Sequence, residues 1–195
     1  MKRLNFLFYL LFALMLSGCQ PGITYQYQDL PQQVTCQDLD QELMHEAIYS
    51  FQEDIGRYYN QYTDHQKGSK SYYIEAYAQF VFYGFSGTAA YYDIASTHSQ
   101  EILAALIQEK DLWVITDDQY KINYDHPYLV CLLENIKADE LRVPLQNLSA
   151  TGSLSPELIA ETMRVNFQQI ISDPYLAMYL ALDAYYQPLR NKTSR

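Results

Sequence analysis

Residues 72–95 have the sequence YYIEAYAQFVFYGFSGTAAYYDIA, which is almost entirely apolar or aromatic. If this stretch forms one helix, its clearly polar residues fall within a strip about 40° wide on the helix surface, and these are Glu75, Gln79, Ser86 and Asp93. A helix that is apolar around most of its circumference is usually surrounded by other helices. We therefore expect a helical domain packed around residues 72–95.

The polar strip is the first place to look for a site, because its polar groups lie on the helix that is expected to be most enclosed. The alternative is a solvated edge of the central helix with no chemical role. A transmembrane helix is a further alternative, since the apolar stretch is long enough to span a bilayer. Glu75 and Asp93 at its flanks, and its many tyrosines, count against that alternative.

The flanking sequence predicts several more helices. Hydrophobic periodicity and capping signals place them at about residues 38–62, 97–108, 127–138, 156–172 and 174–187. In the first of these helices, Glu42, Glu46 and Glu53 point away from the apolar face. Residues 142–154 are rich in Ser, Gly, Asn and Thr and are expected to form a loop.

Residues 112–123 have a strand-like pattern. The apolar run 112–115 and the alternating segment Tyr120-Lys121-Ile122 flank the turn-prone pair Asp117-Asp118, which favours a β-hairpin, with a compact loop as the alternative. The predicted fold class is therefore mostly α, a single helical-bundle domain of about six helices, possibly with one small β-hairpin near residues 112–123.

The N-terminus carries a targeting pattern. Lys2 and Arg3 precede an apolar run, 4–16, which is shorter than the ~20 residues that a spanning helix needs. The run ends in Leu16-Ser17-Gly18-Cys19. This combination resembles the lipobox signal peptide of bacterial lipoproteins, and the resemblance covers residues 1–19 only. A plain uncleaved anchor is the alternative.

The resemblance implies that residues 1–18 are removed and that Cys19 is acylated, so that lipid holds the protein at a membrane. Because Gln20 rather than Asp follows the cysteine, the resemblance implies a location in the cell envelope, at the periplasmic face of the outer membrane in a two-membrane cell. In a one-membrane cell the same signal would give an outward-facing plasma-membrane protein. Prolines and glutamines without apolar periodicity then indicate a flexible tether. The chain after the signal peptide is thus expected to comprise a lipidated tether (19–37), an α-helical domain (38–190) and a disordered tail (191–195).

The composition is strongly acidic, and it contains two further cysteines. The chain has a formal charge of −10, and without residues 1–18 it keeps 11 basic and 23 acidic residues. Such a charge disfavours binding to nucleic acid. Cys36 and Cys131 remain after the lipid site, and an even pair in an exported protein predicts a disulfide, with a buried free thiol at Cys131 as the alternative.

The sequence contains no recognisable motif for catalysis, a cofactor or a metal, so we expect no cofactor and lean away from an enzyme. Twenty tyrosines against one tryptophan are consistent with rings buried at the edge of the core and hydroxyls in water. The alternative is an aromatic binding surface, since exposed Tyr is common at interfaces, and this alternative supports a binding role. The leading hypothesis is a membrane-anchored, non-catalytic binding or assembly module, which contacts an unknown envelope protein through an acidic, Tyr-rich helical surface. The alternatives are a periplasmic small-ligand or glycan-binding lipoprotein and, third, a hydrolase with an Asp–His–hydroxyl arrangement.

Overall fold

The fold is mostly helical with one small hairpin, as the sequence predicts. The computed structural model describes residues 22–193, so the predicted signal peptide, the predicted lipidation site Cys19 and residues 194–195 lie outside the described part. In chain order the elements are α1 (Gln41–Tyr59), α2 (Lys70–Phe85), α3 (Tyr91–Ile94), α4 (Thr97–Leu106), β1 (Trp113–Thr116), β2 (Gln119–Ile122), α5 (Pro127–Asn135), α6 (Asp139–Ala150), α7 (Pro156–Val165), α8 (Phe167–Ser172), α9 (Pro174–Leu180), a π-helical segment (Ala181–Tyr186) and α10 (Gln187–Thr193).

The predicted helix over residues 72–95 is interrupted after α2. The backbone N–H of Thr88 donates to Tyr83 O, and that of Gly87 donates to Gly84 O, each at 3.0 Å. This hydrogen-bond pattern is the glycine-capped end of a helix, and Gly87 has the left-handed φ of +69° that such a cap requires. The chain then continues into the short helix α3, so the prediction of a single helix over this stretch is wrong.

The C-terminal helix, which runs from α9 through the π-helical segment to α10, is more enclosed than α2. Every residue from 176 to 186 is buried. α9 packs against α5 and α8, and the π-helical segment packs against α1 and α2. α2, in contrast, leaves Phe82 51% exposed. The core is therefore centred on residues 176–186 and not on residues 72–95.

Residues 22–37 lie along α1, and we call them the N-terminal strap. Glu46 accepts hydrogen bonds from the backbone N–H groups of Gln26 and Tyr27, at 2.6 and 3.1 Å. Tyr49 Oη donates to Pro31 O at 2.8 Å. The sequence predicts a flexible tether over residues 19–37, whereas backbone groups of Gln26, Tyr27 and Pro31 are hydrogen-bonded to α1.

α1 is buried on two sides. The apolar face of α1 packs against α2. Glu46, Ser50 and Asp54 share another face at a spacing of four residues, and each is at most 1% exposed. The expectation that Glu46 points away from the protein interior is therefore wrong, whereas Glu42 is exposed.

The hairpin predicted over residues 112–123 is present. Its strands pair antiparallel, with a register that runs from Trp113↔Ile122 to Thr116↔Gln119. Both residues of the Asp117-Asp118 turn have positive φ, at 53° and 57°, as a type I′ turn requires.

The hairpin packs against α10. Gln187 Oε1 accepts from Ile122 N at 2.5 Å. The Asn191 side chain accepts from Tyr120 N and donates to Tyr120 O, each at 2.8 Å, so it extends the pairing of β2 as a further strand would. The expectation of a disordered tail is wrong for residues 191–193, which belong to α10.

Residues 139–150 form the helix α6, although most of this segment was expected to be a loop. Leu141 and Leu145 lie one turn apart and are both buried. This apolar pair, behind the acidic first turn of Asp139 and Glu140, is the helix signal that the Ser, Asn and Thr content obscures.

Candidate functional site

The structure does not bring the four residues of the predicted polar strip together. On α2, Gln79 Nε2 donates to Glu75 Oε1 at 3.0 Å. Ser86 caps the end of that helix and is exposed, and Asp93 is exposed on α3. Because the chain turns between α2 and α3, the strip does not form.

Cys36 and Cys131 form a disulfide, and their Cα atoms are 5.8 Å apart. The bond joins the end of the N-terminal strap to α5 across 95 positions of sequence. Gln41 Nε2 donates to the carbonyl oxygen of Cys36 beside it. The strap is thus attached to the domain covalently at its C-terminal end and by hydrogen bonds along its length.

A buried polar seam lies between α1 and the beginning of α4. His98 Nε2 donates to Glu46 Oε1 at 2.6 Å, and these side chains are 9% and 0% exposed. One turn further along α1, Ser50 Oγ and Ser99 Oγ are 2.6 Å apart. These two contacts pair polar side chains of α1 with polar side chains of α4, so the carboxylate of Glu46 and both serine hydroxyls have partners on the facing helix.

Asp54 continues the seam towards the C-terminal helix. Its Oδ2 accepts from Ser96 N at 2.9 Å and from Tyr185 Oη at 2.7 Å. Burial, followed by the charge of Asp54, raises the pKa of Tyr185 well above its usual range. Tyr185 consequently stays a hydrogen-bond donor, and this end of the seam is a satisfied structural network.

Two of the four histidines lie around Glu46. His98 contacts the carboxylate itself, and His45 Nε2 donates to Tyr27 O at 2.8 Å. The N-terminal strap covers both rings. Within residues 22–193 no serine or threonine hydroxyl is hydrogen-bonded to a histidine ring, so the described residues do not assemble the Asp–His–hydroxyl arrangement of a hydrolase.

Four aromatic side chains on α1 and α2 form a connected group at the surface. The ring centroids of Tyr58 and Tyr59 are 5.0 Å apart, those of Tyr59 and Tyr83 are 6.3 Å apart, and those of Tyr83 and Phe82 are 5.1 Å apart. The guanidinium of Arg164, from α7, lies 5.7 Å from the centroid of the Phe82 ring. We call these five residues the aromatic surface. Phe82 and Tyr83 are 51% and 39% exposed, so a partner can reach them.

A cleft of about 400 Å³ lies between β2, the beginning of α7 and the C-terminal helix. The carboxylate of Asp183, in the π-helical segment, lies at its base and is fully buried. Tyr124 Oη donates to Asp183 Oδ1 at 2.6 Å, and Tyr179 Oη donates to Oδ2 at 2.9 Å. Burial raises the pKa of Asp183 to about 6, although the two hydroxyl groups act in the opposite direction. We call this cavity the Asp183 cleft.

The described residues contain neither a candidate metal site nor a candidate membrane-spanning helix. Between residues 22 and 193, no three His, Cys, Asp or Glu side chains are grouped so that they could hold a metal ion. No helix in that same range has both the length and the apolar character needed to cross a bilayer.

No protein-family model, curated protein or solved structure gives a significant match to this chain. The residues of the chain itself therefore have to indicate its function. Asp183 carried a sequence signal, because it is the one charged residue between 174 and 189. No sequence pattern indicates that Glu46 is buried, because the N-terminal strap that covers it has no regular hydrophobic periodicity.

Proposed function

We propose that this protein is a lipid-anchored bacterial envelope protein that acts as a non-catalytic binding module, and that it holds another envelope protein through the aromatic surface. The observation that carries the proposal is the unbroken series of ring contacts from Tyr58 to Phe82, ending at Arg164. Tyr, Phe and Arg are enriched in protein interfaces, because they bury large areas and keep polar atoms available for hydrogen bonds.

The rigidity of the aromatic surface also favours binding. Tyr59 and Tyr83 project from two different helices and lie parallel, with 5° between their ring planes. Each ring is held by its neighbour and by the packing of α1 against α2. Side chains that are already ordered lose little conformational entropy when a partner docks, so more of the contact energy appears as affinity.

The membrane anchor is the second part of the proposal, and the Leu16-Ser17-Gly18-Cys19 motif supports it. Ile23 of the N-terminal strap already packs against the core. Four residue steps from Cys19 to Ile23 can span at most about 14 Å. A lipid on Cys19 would therefore keep the domain close to the bilayer, where an envelope protein at the same membrane is within reach.

Site-specific photo-crosslinking in intact cells tests the proposal. A photoreactive phenylalanine analogue at Tyr83 or Phe82 is expected to give one discrete protein adduct. The same analogue at Ile115, which is 68% exposed on β1, serves as the control and should give no such adduct. Equal adducts at all three positions, or none at positions 82 and 83, would refute the aromatic surface as the binding site.

A pair of tyrosine variants refines the test. Tyr83→Ala should weaken recovery of the crosslinked partner from position 82 by about tenfold or more, because Tyr is enriched among the few interface residues that supply most of the binding energy. Tyr62→Ala is the matched control, because Tyr62 is 98% exposed and lies outside the aromatic surface. An equal loss of partner in both variants would contradict the proposal.

A further inference from the structure

We infer that the Asp183 cleft binds a small zwitterionic ligand of the amino acid or short-peptide class, with its ammonium group beside Tyr124 and Glu157 and its carboxylate beside Lys121 and Lys192. This site is separate from the aromatic surface, and the inference does not depend on a protein partner.

The size and lining of the Asp183 cleft suit such a ligand. Its volume of about 400 Å³ lies in the range of small-molecule sites. Phe85, Tyr120 and Tyr124 supply aromatic surface, while Gly87 and Ser155 leave room at the edge. Polar and charged side chains make up much of the remaining lining, which suits a polar, charged ligand rather than an apolar one.

Charges of both signs line the cleft without neutralising one another. Glu157 and Asp183 are the acids, and Lys121 and Lys192 are the bases. Among the described residues, none of these four forms an ion pair with any charged side chain. The Lys192 ammonium instead lies 4.5 Å from the centroid of the Tyr91 ring. A ligand that carries one ammonium and one carboxylate would pair both signs at once.

Tyr124 is the contact through which Asp183 acts on the ligand. Its hydroxyl proton is committed to Asp183 Oδ1 at 2.6 Å, so the oxygen offers its lone pair to an incoming N–H donor. The buried carboxylate polarises that oxygen and makes it a stronger acceptor. Asp183 is hydrogen-bonded to Tyr124, and Glu157 lines the same cleft. This end of the cleft therefore favours an ammonium group.

The setting of Asp183 also points to a ligand. A fully buried carboxylate without a cationic partner is unfavourable for folding. The hydroxyl groups of Tyr124 and Tyr179 could be hydrogen-bonded by a neutral side chain, so they do not explain why a carboxylate occupies this position. Asp183 lies in the π-helical segment Ala181–Tyr186, and π-helical turns occur frequently at functional sites. A cationic group in the cleft would compensate the buried charge.

Thermal denaturation of the full-length lipidated protein in detergent tests this inference. The probe is an equimolar mixture of free dipeptides, and its controls are the same mixture with the amino groups acetylated and with the carboxyl groups amidated. At saturation the free dipeptides should raise Tm by roughly 5–10 °C, and both blocked mixtures should lose most of that shift. No shift with the free mixture, or an equal shift with the acetylated one, would overturn the inference.

Variants separate the cleft from non-specific binding. Asp183→Asn and, at the surface, Glu157→Gln and Lys192→Gln should each weaken dipeptide binding by about 10- to 100-fold. Glu134→Gln and Lys110→Gln are the charge-matched controls, since both residues are exposed and lie outside the cleft. If Asp183→Asn does not fold, the two surface variants still decide the outcome, and unchanged binding in both would refute the site.

Discussion

Glu46 and His98, which are 52 positions apart in the chain, share a 2.6 Å hydrogen bond in the protein interior. The same carboxylate accepts from the backbone N–H groups of Gln26 and Tyr27. One buried side chain therefore joins α1, α4 and the N-terminal strap. Three donors compensate the burial of its charge, which an isolated carboxylate could not tolerate.

Replacement of Glu46 should detach the strap. Glu46→Gln puts an amide N–H₂ where the carboxylate accepted hydrogen bonds, so at least one buried donor loses its partner. We expect the free energy of unfolding to fall by about 1–3 kcal/mol, measured by urea denaturation. Hydrogen exchange at Gln26 and Tyr27 should become faster. Glu42→Gln, at an exposed position of the same helix, is the control and should change stability by less than about 0.5 kcal/mol.

The disulfide between Cys36 and Cys131 should contribute strongly to stability. It closes a loop across 95 positions, for which the chain-entropy model gives about 4–5 kcal/mol. The double replacement Cys36→Ala, Cys131→Ala should lose that amount, and dithiothreitol should destabilise the unaltered protein to the same extent while leaving the variant unchanged. Peptide mapping without reduction provides an independent check, and two free thiols in exported protein would contradict the bond.

Lipidation of Cys19 is a prediction from the sequence alone. Cys19→Ala should abolish incorporation of labelled fatty acid, and the protein should either leave the membrane fraction or accumulate as an uncleaved precursor. Cys131→Ala is the control, because it alters a cysteine without touching the lipobox and should keep full labelling. Persistent labelling of the Cys19→Ala protein would exclude the lipoprotein assignment.

Gly87 should be required by the backbone alone. Its φ is +69°, and a Cβ built on it meets no atom within 4 Å, so any cost of substitution comes from conformation. Gly87→Ala should lower the free energy of unfolding by about 1–2 kcal/mol. Gly22→Ala is the matched control, since Gly22 also has open space around it but no positive φ, and it should be neutral. Equal free energies of unfolding for the two variants would show that the glycine cap does not end α2.

The sequence predicts turns and helix starts correctly where neighbouring residues alone determine them. The Asp117-Asp118 turn and the proline starts at Pro156 and Pro174 appear where their chemistry places them. The prediction of one helix over residues 72–95 is wrong because it gave more weight to the apolar composition than to Gly87. That glycine ends the helix. The apolar composition of residues 72–95 also predicted that this segment would lie at the centre of the domain, whereas the C-terminal helix lies there.

The candidate sites depend on contacts that periodicity does not encode. The aromatic surface combines α1, α2 and α7, and the Asp183 cleft combines β2, α7 and the C-terminal helix, so both exist only after folding. The tyrosine excess was compatible with both a core edge and an aromatic surface, and it did not indicate which tyrosines would be exposed. Adjacent tyrosines differ in this respect, since Tyr185-Tyr186 is fully buried, while Tyr58-Tyr59 is only partly buried.

Asp183 should make stability depend on pH in the direction opposite to that of an ordinary paired carboxylate. Its pKa is about 6 in the folded protein, because burial disfavours the charge, against a usual value of 3.8. Between these two pH values the folded state keeps a proton that the unfolded chain has lost, so the free energy of unfolding decreases as pH rises. The Asp183 contribution is complete below about pH 4 and is lost above about pH 6, a change of about 3 kcal/mol.

A comparison with Asp183→Asn isolates this effect from the other titrating groups. The asparagine is neutral at every pH, so the difference in free energy of unfolding between the two proteins should shift by about 3 kcal/mol in favour of the variant between pH 4 and pH 6.5. Urea denaturation at half-unit intervals of pH measures it. Tyr124 and Tyr179 donate hydrogen bonds to the carboxylate, and the charge of Glu157 raises its pKa. Glu157→Gln should therefore move the midpoint of this pH-dependent change in stability slightly to lower pH. A difference that stays constant across this range would show that Asp183 does not hold its proton when the protein is folded.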